Sequence, residues 1–257
     1  MTRALVADIV EASFVDGPGN RYVIFLQGCT FNCVTCHNPH TIACGQTEES
    51  RWVDVAELLA DIRQKAGFLS GVTVSGGEPT RQAEALHALF QQLADDPATA
   101  RLTRLVDSNG DAEPHTWELL STVMDAAMID LKALDPEVHR ALTGRPNDRV
   151  LASLRQLSRL DRLAEVRLLI VPGANDDAAQ IAATARWLGT LDPAPMVVVQ
   201  GFRHDGARPF AHRFREAGRD DLRTVAATLV EHGLRAAQVA IRGRPARVEH
   251  AEPAVPG

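Results

Sequence analysis

The sequence lacks the features that mark several large classes of protein. Its formal net charge is −6, without the basic excess of most nucleic-acid-binding proteins, so we expect no nucleic acid partner. No apolar run approaches the length of a membrane span, and the first fourteen residues lack the long apolar core of a signal peptide. We therefore expect a cytoplasmic protein without a membrane partner.

Cysteine is also scarce, and its placement argues against a disulfide framework. The 257 residues include four cysteines, of which Cys29, Cys33 and Cys36 fall within eight residues as a C-x-x-x-C-x-x-C array. This spacing lets one loop wrap three thiolates around one soft metal centre, and no fourth cysteine at similar spacing closes that centre. Structural zinc and free thiols are the alternatives. We interpret Cys44, the fourth cysteine, as an ordinary loop thiol.

Short apolar segments alternate along the chain with amphipathic segments of helix length. This alternation is typical of βα units around a parallel sheet. We predict an α/β fold, a partial TIM-like (β/α)6 barrel with parallel strands, in a single domain over residues 1–242. Residues 4–14 are a short apolar lead-in, and residues 243–257, rich in proline and charge, are expected to be a disordered tail. The strands are predicted at 22–26, 71–75, 101–106, 126–131, 166–171, 196–200 and 238–241.

Polar motifs follow several of these strands, at the ends that converge on one face of a βα barrel. In the segment Gly76–Glu78, glycines permit close approach of the backbone to a ligand, and the carboxylate can pair with an ammonium group. Asp107–Gly110 fits a ligand site or an Asx turn, and Asp130 and Lys132 fit a site or a structural ion pair. Arg167 lies inside a strand and needs a carboxylate from a ligand or from the protein.

These motifs together resemble a known family. The cysteine array after a short apolar strand resembles that of the radical S-adenosylmethionine (SAM) enzymes. Its flanks resemble the activating enzymes of glycyl radical enzymes, the pyruvate formate-lyase activase group, at Phe14–Gly19, Arg21, Phe25–Cys29 and Cys36–Pro39. The stretches 105–110, 130–133 and 139–145 are most similar to the YjjW-type subgroup. That subgroup's ferredoxin-like insert of extra cysteines is missing between Cys36 and Gly71.

The resemblance implies a set of cofactors and the residues that bind them. Cys29, Cys33 and Cys36 would hold one 4Fe-4S cluster whose open iron binds SAM. Thr35 stands where many relatives have an aromatic residue against adenine, so His37 is the candidate for that contact. Asp107 would take part in a monovalent cation site, for Na⁺ or K⁺. The other residues assigned to SAM are Gly76, Gly77, Glu78, Ser108, Asp130, Lys132, Arg167 and His204.

The resemblance also implies an activity and its partners. Members of this group reductively cleave SAM to a 5′-deoxyadenosyl radical, which abstracts hydrogen from a backbone glycine of a partner glycyl radical enzyme. The loop of Asp16, Gly17, Pro18 and Gly19 would contact that substrate peptide. This chain shows no motif for a second cluster or a flavin, so flavodoxin or ferredoxin is the expected electron donor.

Two alternatives stay open at this point. The first is a radical SAM enzyme that acts on a small molecule or a free peptide, and binding to a protein with a glycyl-radical loop would separate it from an activase. The second is a metal-binding protein without catalysis, which predicts no cleavage of SAM under a reductant.

Overall fold

One mixed sheet organises the molecule, whose computed structural model describes residues 2–242. The predicted tail at 243–257 lies outside these residues. Within them the sheet has nine strands in the order β3-β1-β2-β4-β5-β6-β7-β8-β9. The strands are β1 Arg3–Ser13, β2 Arg21–Leu26, β3 Arg51–Asp54, β4 Gly71–Gly76, β5 Thr103–Ser108, β6 Ala126–Asp130, β7 Leu163–Ile170, β8 Met196–Gly201 and β9 Val239–Arg242.

Seven helices connect the strands. They are α1 Val55–Lys65, α2 Ala83–Asp95, α3 Pro114–Ser121, α4 Pro136–Thr143, α5 Asp148–Arg159, α6 Ala178–Leu188 and α7 Arg219–Glu231 in the described part of the chain. α4 and α5 are separate helices, since Gly144 takes the left-handed conformation, with φ +78°, that ends α4. None of the helices between residues 2 and 242 combines the length and the hydropathy that a membrane span needs.

The parallel part of the sheet confirms the partial barrel. β2 and β4 to β9 pair in parallel and in chain order, with six strand-helix units followed by a final strand. Among the described strands, β3 and β9 lie at the two edges of the sheet and do not pair with each other, so the barrel is open. The carboxyl ends of the parallel strands therefore share one edge, where loops can build a site.

Two strands, β1 and β3, were not predicted from the sequence. Residues 4–14, expected to be a lead-in, form most of β1, which pairs antiparallel with β2 and with β3. Beyond Val6 most of β1 is exposed, so its side chains carry little of the alternation that marks a half-buried strand. Its partners supply the backbone hydrogen bonds, and this pairing cannot be read from the segment alone.

The two faces of the parallel strands differ in polarity because successive side chains point to opposite sides. The face towards the helices is apolar and buried, with Val74, Val106 and Val166 in the main core. The face towards the barrel interior carries polar and charged groups, among them Thr73, Ser75, Asp107, Asp130 and Arg167. A polar interior of this kind is the first indication that the barrel binds a charged ligand.

Arg21, fully buried at the start of β2, holds the loop of residues 16–19 against the sheet. Its guanidinium donates hydrogen bonds to the carbonyl oxygens of Pro18, Val72 and Thr103 at 3.2, 2.7 and 2.9 Å. It also donates to the hydroxyl groups of Thr73 and Thr103 at 2.6 and 2.9 Å. Burial lowers the pKa of Arg21 to about 10, which still leaves the group charged at neutral pH.

We predict that Arg21→Lys destabilises the protein, because an ammonium group cannot reach these five acceptors at once and leaves buried carbonyl groups unpaired. The expected loss is about 2–4 kcal/mol of the free energy of unfolding, measured by urea denaturation. Arg63→Lys on the exposed side of α1 is the matched control, with an expected change below about 0.5 kcal/mol. Equal stability of the two variants would contradict this account of Arg21.

Candidate active site

The cysteine loop follows β2 and is anchored by the last turn of α4. The amide groups of Asn32 and Val34 donate to the carbonyl oxygens of Thr143 and Leu142, each at 2.9 Å. Carbonyl groups in the last turn of a helix have no partner within the helix, so they are available to receive such bonds. The loop is therefore tied to a rigid element on the outer side of the barrel.

The three cysteines of the array face one cavity, as the sequence predicted for a shared centre. Cys29, Cys33 and Cys36 are half-buried and unpaired, and all three line this cavity. Cys44 is exposed, with its sulfur 3.8 Å from the carbonyl oxygen of Cys29. Burial raises the pKa of Cys29 to about 12 and that of Cys33 to about 11, so these two thiols stay protonated at neutral pH.

The donor set suits an iron-sulfur cluster. Three thiols are the soft ligands that such clusters take, and the backbone N–H of Phe31 donates to Cys29 Sγ at 3.4 Å. The side-chain amide of Asn109 lies 3.6 Å from the same sulfur. Hydrogen bonds to ligand sulfur atoms stabilise their negative charge. No group of three or more His, Cys, Asp or Glu side chains within residues 2–242 is arranged to hold a single metal ion.

Gly76 and Gly77 are required by the contact between β4 and β2. Gly76 has φ +119°, and a Cβ atom there would lie 2.2 Å from the backbone nitrogen of Leu26. A Cβ atom on Gly77 would lie 2.3 Å from the carbonyl oxygen of Gly28. Both glycines also line the cavity. Sequence reasoning expected close approach to a ligand, and the structure adds close approach to the start of the cysteine loop.

Glu78 ties the loop after β4 to the loop after β5. Its buried carboxylate accepts hydrogen bonds from the backbone and hydroxyl groups of Thr80, at 3.0 and 2.5 Å. It also accepts from Ser108 Oγ and from the amide of Asn109, both at 2.8 Å. Burial raises the pKa of Glu78 to about 7, although these bonds oppose the rise. Neither Glu78 nor Ser108 is among the described residues that line the cavity, so their assignment to SAM stays a prediction.

A buried ion-pair network crosses the barrel interior. Asp107 Oδ1 lies 2.9 Å from Arg167 Nη1, and Ser75 donates to Asp107 Oδ2 at 3.0 Å. Glu165 Oε1 lies 2.6 Å from Arg167 Nε, and Arg242 binds the other side of Glu165 at 3.2 Å. Burial disfavours the charged form of Arg167 and by itself would lower its pKa. The carboxylates of Asp107 and Glu165 outweigh this effect, so the pKa of Arg167 lies above its ordinary value. The sequence predicted that Arg167 needs a carboxylate from a ligand or from the protein. The structure shows carboxylates of the protein, those of Asp107 and Glu165.

Asp130 and Lys132 form an ion pair inside the cavity wall. Lys132 Nζ lies 2.7 Å from Asp130 Oδ2, and both residues line the cavity beside the cysteines. Burial works against the charge of Lys132, but Asp130 and the neighbouring Cys33 raise its pKa. The ion pair and the ligand site, which the sequence left as alternatives, are therefore compatible here.

The two predicted histidines take different positions. His37 lines the cavity, and its Nε2 donates to the carbonyl oxygen of Arg203 at 2.9 Å. His204 donates through Nε2 to the carbonyl oxygen of Phe214 at 2.8 Å, and its ring stacks on His212 with centroids 4.5 Å apart. His204 is not among the described residues lining the cavity, and its contact with SAM stays a prediction.

The loop Asp16–Gly19 lies at the opposite end of the sheet from the cysteines. It follows β1, which runs antiparallel to β2, so it meets the amino ends of β2 and β4. Thr73 Oγ1 donates to the carbonyl oxygen of Asp16 at 2.7 Å, and Ser13 Oγ lies 2.5 Å from the Asp16 carboxylate. The predicted contact with a substrate peptide would therefore occur at this end of the barrel interior.

Three residues at the site were missed by sequence reasoning. Asn109, inside a motif that was recognised, reaches both Glu78 and Cys29. Arg208 had no local signal, because its partners Asn32 and Cys36 are distant along the chain. Glu165 lies two residues before Arg167 in β7, so alternation along the strand puts both side chains on one face, and this local signal was overlooked. The backbone N–H of Arg208 donates to the carbonyl oxygen of Cys36 at 3.3 Å, across the mouth of the cysteine loop.

The chain is similar to known proteins in sequence and in fold. A family model described as the Radical SAM superfamily matches residues 23–187. The chain is 35% identical over 198 residues to a pyruvate formate-lyase-activating enzyme of Staphylococcus aureus (strain USA300), covering 75% of this chain and 78% of that protein.

Two solved structures show the same fold. A domain of pyruvate-formate lyase-activating enzyme from Bacteroides vulgatus ATCC 8482 matches with TM-score 0.56 and 24% identity, over 68% of this chain and 99% of that one. A radical SAM methyltransferase from Sphaerobacter thermophilus matches with TM-score 0.67 and 17% identity, over 86% of this chain and 66% of that one. At these identities the likeness concerns the fold alone.

We predict that Gly77→Ala displaces the cysteine loop, because the added methyl group meets the backbone of Gly28. The expected cost is about 1–3 kcal/mol of the free energy of unfolding, together with faster reaction of the loop cysteines with a thiol reagent. Gly67→Ala is the matched control, since a Cβ atom there meets nothing within 4 Å. Wild-type stability and thiol reactivity in Gly77→Ala would show that the contact is not tight.

Proposed function

The chain belongs to the radical SAM superfamily, as an enzyme related to the pyruvate formate-lyase-activating enzymes, and we propose that it activates a glycyl radical enzyme. A 4Fe-4S cluster and SAM are the cofactors that this family implies. When bound and reduced by one electron from outside the chain, they would supply the cleavage of SAM to methionine and a 5′-deoxyadenosyl radical, which would take a hydrogen atom from a backbone glycine of the partner. The observation that carries the proposal is the three-cysteine cavity in a chain 35% identical to such an activating enzyme.

The cluster would be held by Cys29, Cys33 and Cys36. Their three thiols are the soft donors that iron takes, and one iron without a cysteine ligand stays open to SAM. Anchoring of the loop on α4 fixes the ligands before the cluster binds, and the amide group of Asn109 favours negative charge on Cys29. Cys44, exposed beside the loop, has no part in this proposal.

SAM would bind between the cluster and the polar wall of the cavity. The backbone of Gly76 and Gly77 lines the cavity and would bind the amino group, with Glu78 and Ser108 holding that backbone in place. Lys132 would neutralise the carboxylate of SAM. The remaining assignments are Asp130 to the ribose or cation and His37 to the adenine. Arg167 and His204 stay assigned to SAM, Arg167 as a partner for its carboxylate.

A monovalent cation, Na⁺ or K⁺, would sit near Asp107. Asp107 and Asp130 both line the cavity, and oxygen ligands of this kind suit a hard cation. Arg167 already compensates part of the charge of Asp107, at 2.9 Å. The site would therefore favour a singly charged ion over a divalent one.

The partner protein would present its glycine loop to the barrel interior from the end that carries Asp16, Gly17, Pro18 and Gly19. Phe14 and Val15, exposed by 76% and 63%, flank this loop and offer apolar contact to a protein surface. Within the activases, the motifs at 105–110, 130–133 and 139–145 favour the YjjW-type subgroup. The required electron would come from flavodoxin or ferredoxin.

We predict that the reconstituted protein cleaves SAM and that this depends on the cysteine array. After anaerobic addition of iron, sulfide, dithionite and SAM, wild type and Cys44→Ala should form 5′-deoxyadenosine, while Cys33→Ala should fall to background. Cys44→Ala is the matched control because it removes a cysteine outside the array. A wild type that binds one zinc ion and forms no 5′-deoxyadenosine would refute the radical SAM mechanism.

The identity of the partner protein is tested by detecting a glycyl radical on it. Incubation with a glycyl radical enzyme, beginning with pyruvate formate-lyase, should give an electron paramagnetic resonance signal centred on a glycine. Deuterium on that glycine should pass into 5′-deoxyadenosine. If SAM is cleaved but no glycyl radical enzyme acquires the signal, the protein acts on a small molecule or a free peptide instead.

A further inference from the structure

The loop that follows β6 carries Lys132 into the cavity wall. β6 ends at Asp130, and the N–H of Leu131 still bonds to the carbonyl oxygen of Arg167 on β7, at 2.9 Å. Residues 132–134 belong to no strand or helix. Their carbonyl groups therefore need partners other than the backbone of a neighbouring strand, because a buried carbonyl group without a hydrogen bond is costly.

Asn147, just before α5, holds this loop from one side. Its buried side-chain amide donates from Nδ2 to the carbonyl oxygens of Ala133 and Leu134, at 3.2 and 2.8 Å. Asparagine is common at this position because its side chain can bond to the first N–H groups of a helix, but Asn147 makes no such bond. Both of its N–H donors are used on the loop after β6 instead.

Asn175, in the turn after β7, holds the loop from the other side. Its Nδ2 donates to the carbonyl oxygens of Lys132 and Leu169, both at 2.8 Å. Its Oδ1 accepts a hydrogen bond from the N–H of Val171, also at 2.8 Å. This buried side chain therefore joins the backbone of Lys132 itself to the end of β7, whose position is fixed by its pairing with β6 and β8.

Lys132 is thus held at both ends of its side chain. Asn175 fixes its backbone, and its ammonium group lies 2.7 Å from Asp130 Oδ2 in the cavity wall. The stem of a lysine is flexible, so its ammonium group has a defined position only when the backbone is held as well. Lysine is also rare in this chain, since Lys65 and Lys132 are the two lysines among 27 lysine and arginine residues. A composition so rich in arginine does not by itself explain a lysine here.

We infer that Asn147 and Asn175 are positioning residues, which hold the loop after β6 so that the ammonium group of Lys132 meets the carboxylate of SAM. The inference rests on the proposed function, which assigns that carboxylate to Lys132. Neither asparagine is among the described residues that line the cavity, so each acts through Lys132 and not by contact with the ligand. Loss of either amide leaves buried carbonyl groups unpaired, and the loop then shifts to other partners.

The two lysines allow a direct test of how firmly Lys132 is held. An amine-reactive anhydride labels both in the protein without cofactors, and mass spectrometry gives the rate at Lys132 relative to Lys65. Lys65 is a suitable internal reference because it also pairs with carboxylates, those of Asp61 and Glu11, and its side chain is 19% exposed against 15% for Lys132. The dissociation constant of SAM, measured on the reconstituted protein without a reductant, then gives the effect on the ligand.

Gln238→Ala is the matched control for the asparagine variants. Gln238, just before β9, is also buried, and its Nε2 donates to the consecutive carbonyl oxygens of Ala194 and Pro195 at 3.0 and 3.5 Å. These carbonyl groups precede β8, at the end of the sheet opposite to the cavity. The control therefore loses the same kind of bond as Asn147→Ala but leaves the loop after β6 untouched.

In Asn147→Ala and Asn175→Ala, labelling of Lys132 relative to Lys65 should become about three- to tenfold faster, because the loop opens more often. The dissociation constant of SAM, and its KM with dithionite as reductant, should rise by about three- to tenfold with kcat changed less than about twofold, as expected when a contact present before and during the reaction is lost. Asn147→Ser, whose hydroxyl group can bond to one carbonyl, should lie between wild type and Asn147→Ala. Gln238→Ala should lose stability in urea but keep the wild-type labelling ratio and SAM affinity.

A wild-type labelling ratio in the asparagine variants would overturn the inference, and Asn147→Ser decides the matter if the alanine variants do not fold. An equal loss of SAM affinity in Gln238→Ala would overturn it too, as would a lower kcat with an unchanged KM, because a purely structural role reduces only the fraction of active enzyme. Failure of the proposed function is distinct, since wild type would then neither bind SAM nor form 5′-deoxyadenosine with dithionite, whatever the labelling shows.

Discussion

The contact between the end of β4 and the start of the cysteine loop is the constraint on which the site depends. Gly76 and Gly77 allow the two backbones to touch, because any side chain there would meet Leu26 or Gly28. This contact places Glu78 where its buried carboxylate binds the loop after β5. Three consecutive parallel strands are thus locked together at their carboxyl ends, and the cavity beside the cysteines has a rigid wall.

The charged interior obeys a second constraint, since a buried charge is costly unless it is paired. Arg167 meets Asp107 and Glu165, and Arg242 meets Glu165, so the interior stays polar without an isolated charge among these groups. Such networks do not by themselves add much stability, because desolvation offsets much of the attraction. Their value lies in fixing Asp107 in the cavity wall, where Arg167 opposes the rise that burial causes in the pKa of Asp107.

The fold separates the surfaces that the proposed reaction needs. The cofactor cavity lies at the carboxyl ends of the strands, and the loop Asp16–Gly19 lies at their amino ends because β1 runs antiparallel. Approach of the proposed substrate protein at one end would therefore leave the cavity at the other end undisturbed. This arrangement follows from strand direction and loop anchoring rather than from any local motif.

The sequence alone determined the strand-helix alternation, the partial barrel and the cysteine array, because each depends on local periodicity or on residues adjacent in the chain. It also predicted the cavity positions of Gly76, Gly77, Asp107, Asp130, Lys132 and His37. Only the tertiary structure decided that β1 is a strand, that Arg167 pairs with Asp107, and that Arg208 lies beside the cysteine loop. Those contacts join segments far apart in the chain, and the packing of the whole sheet, not the pattern of any one segment, sets which distant groups meet.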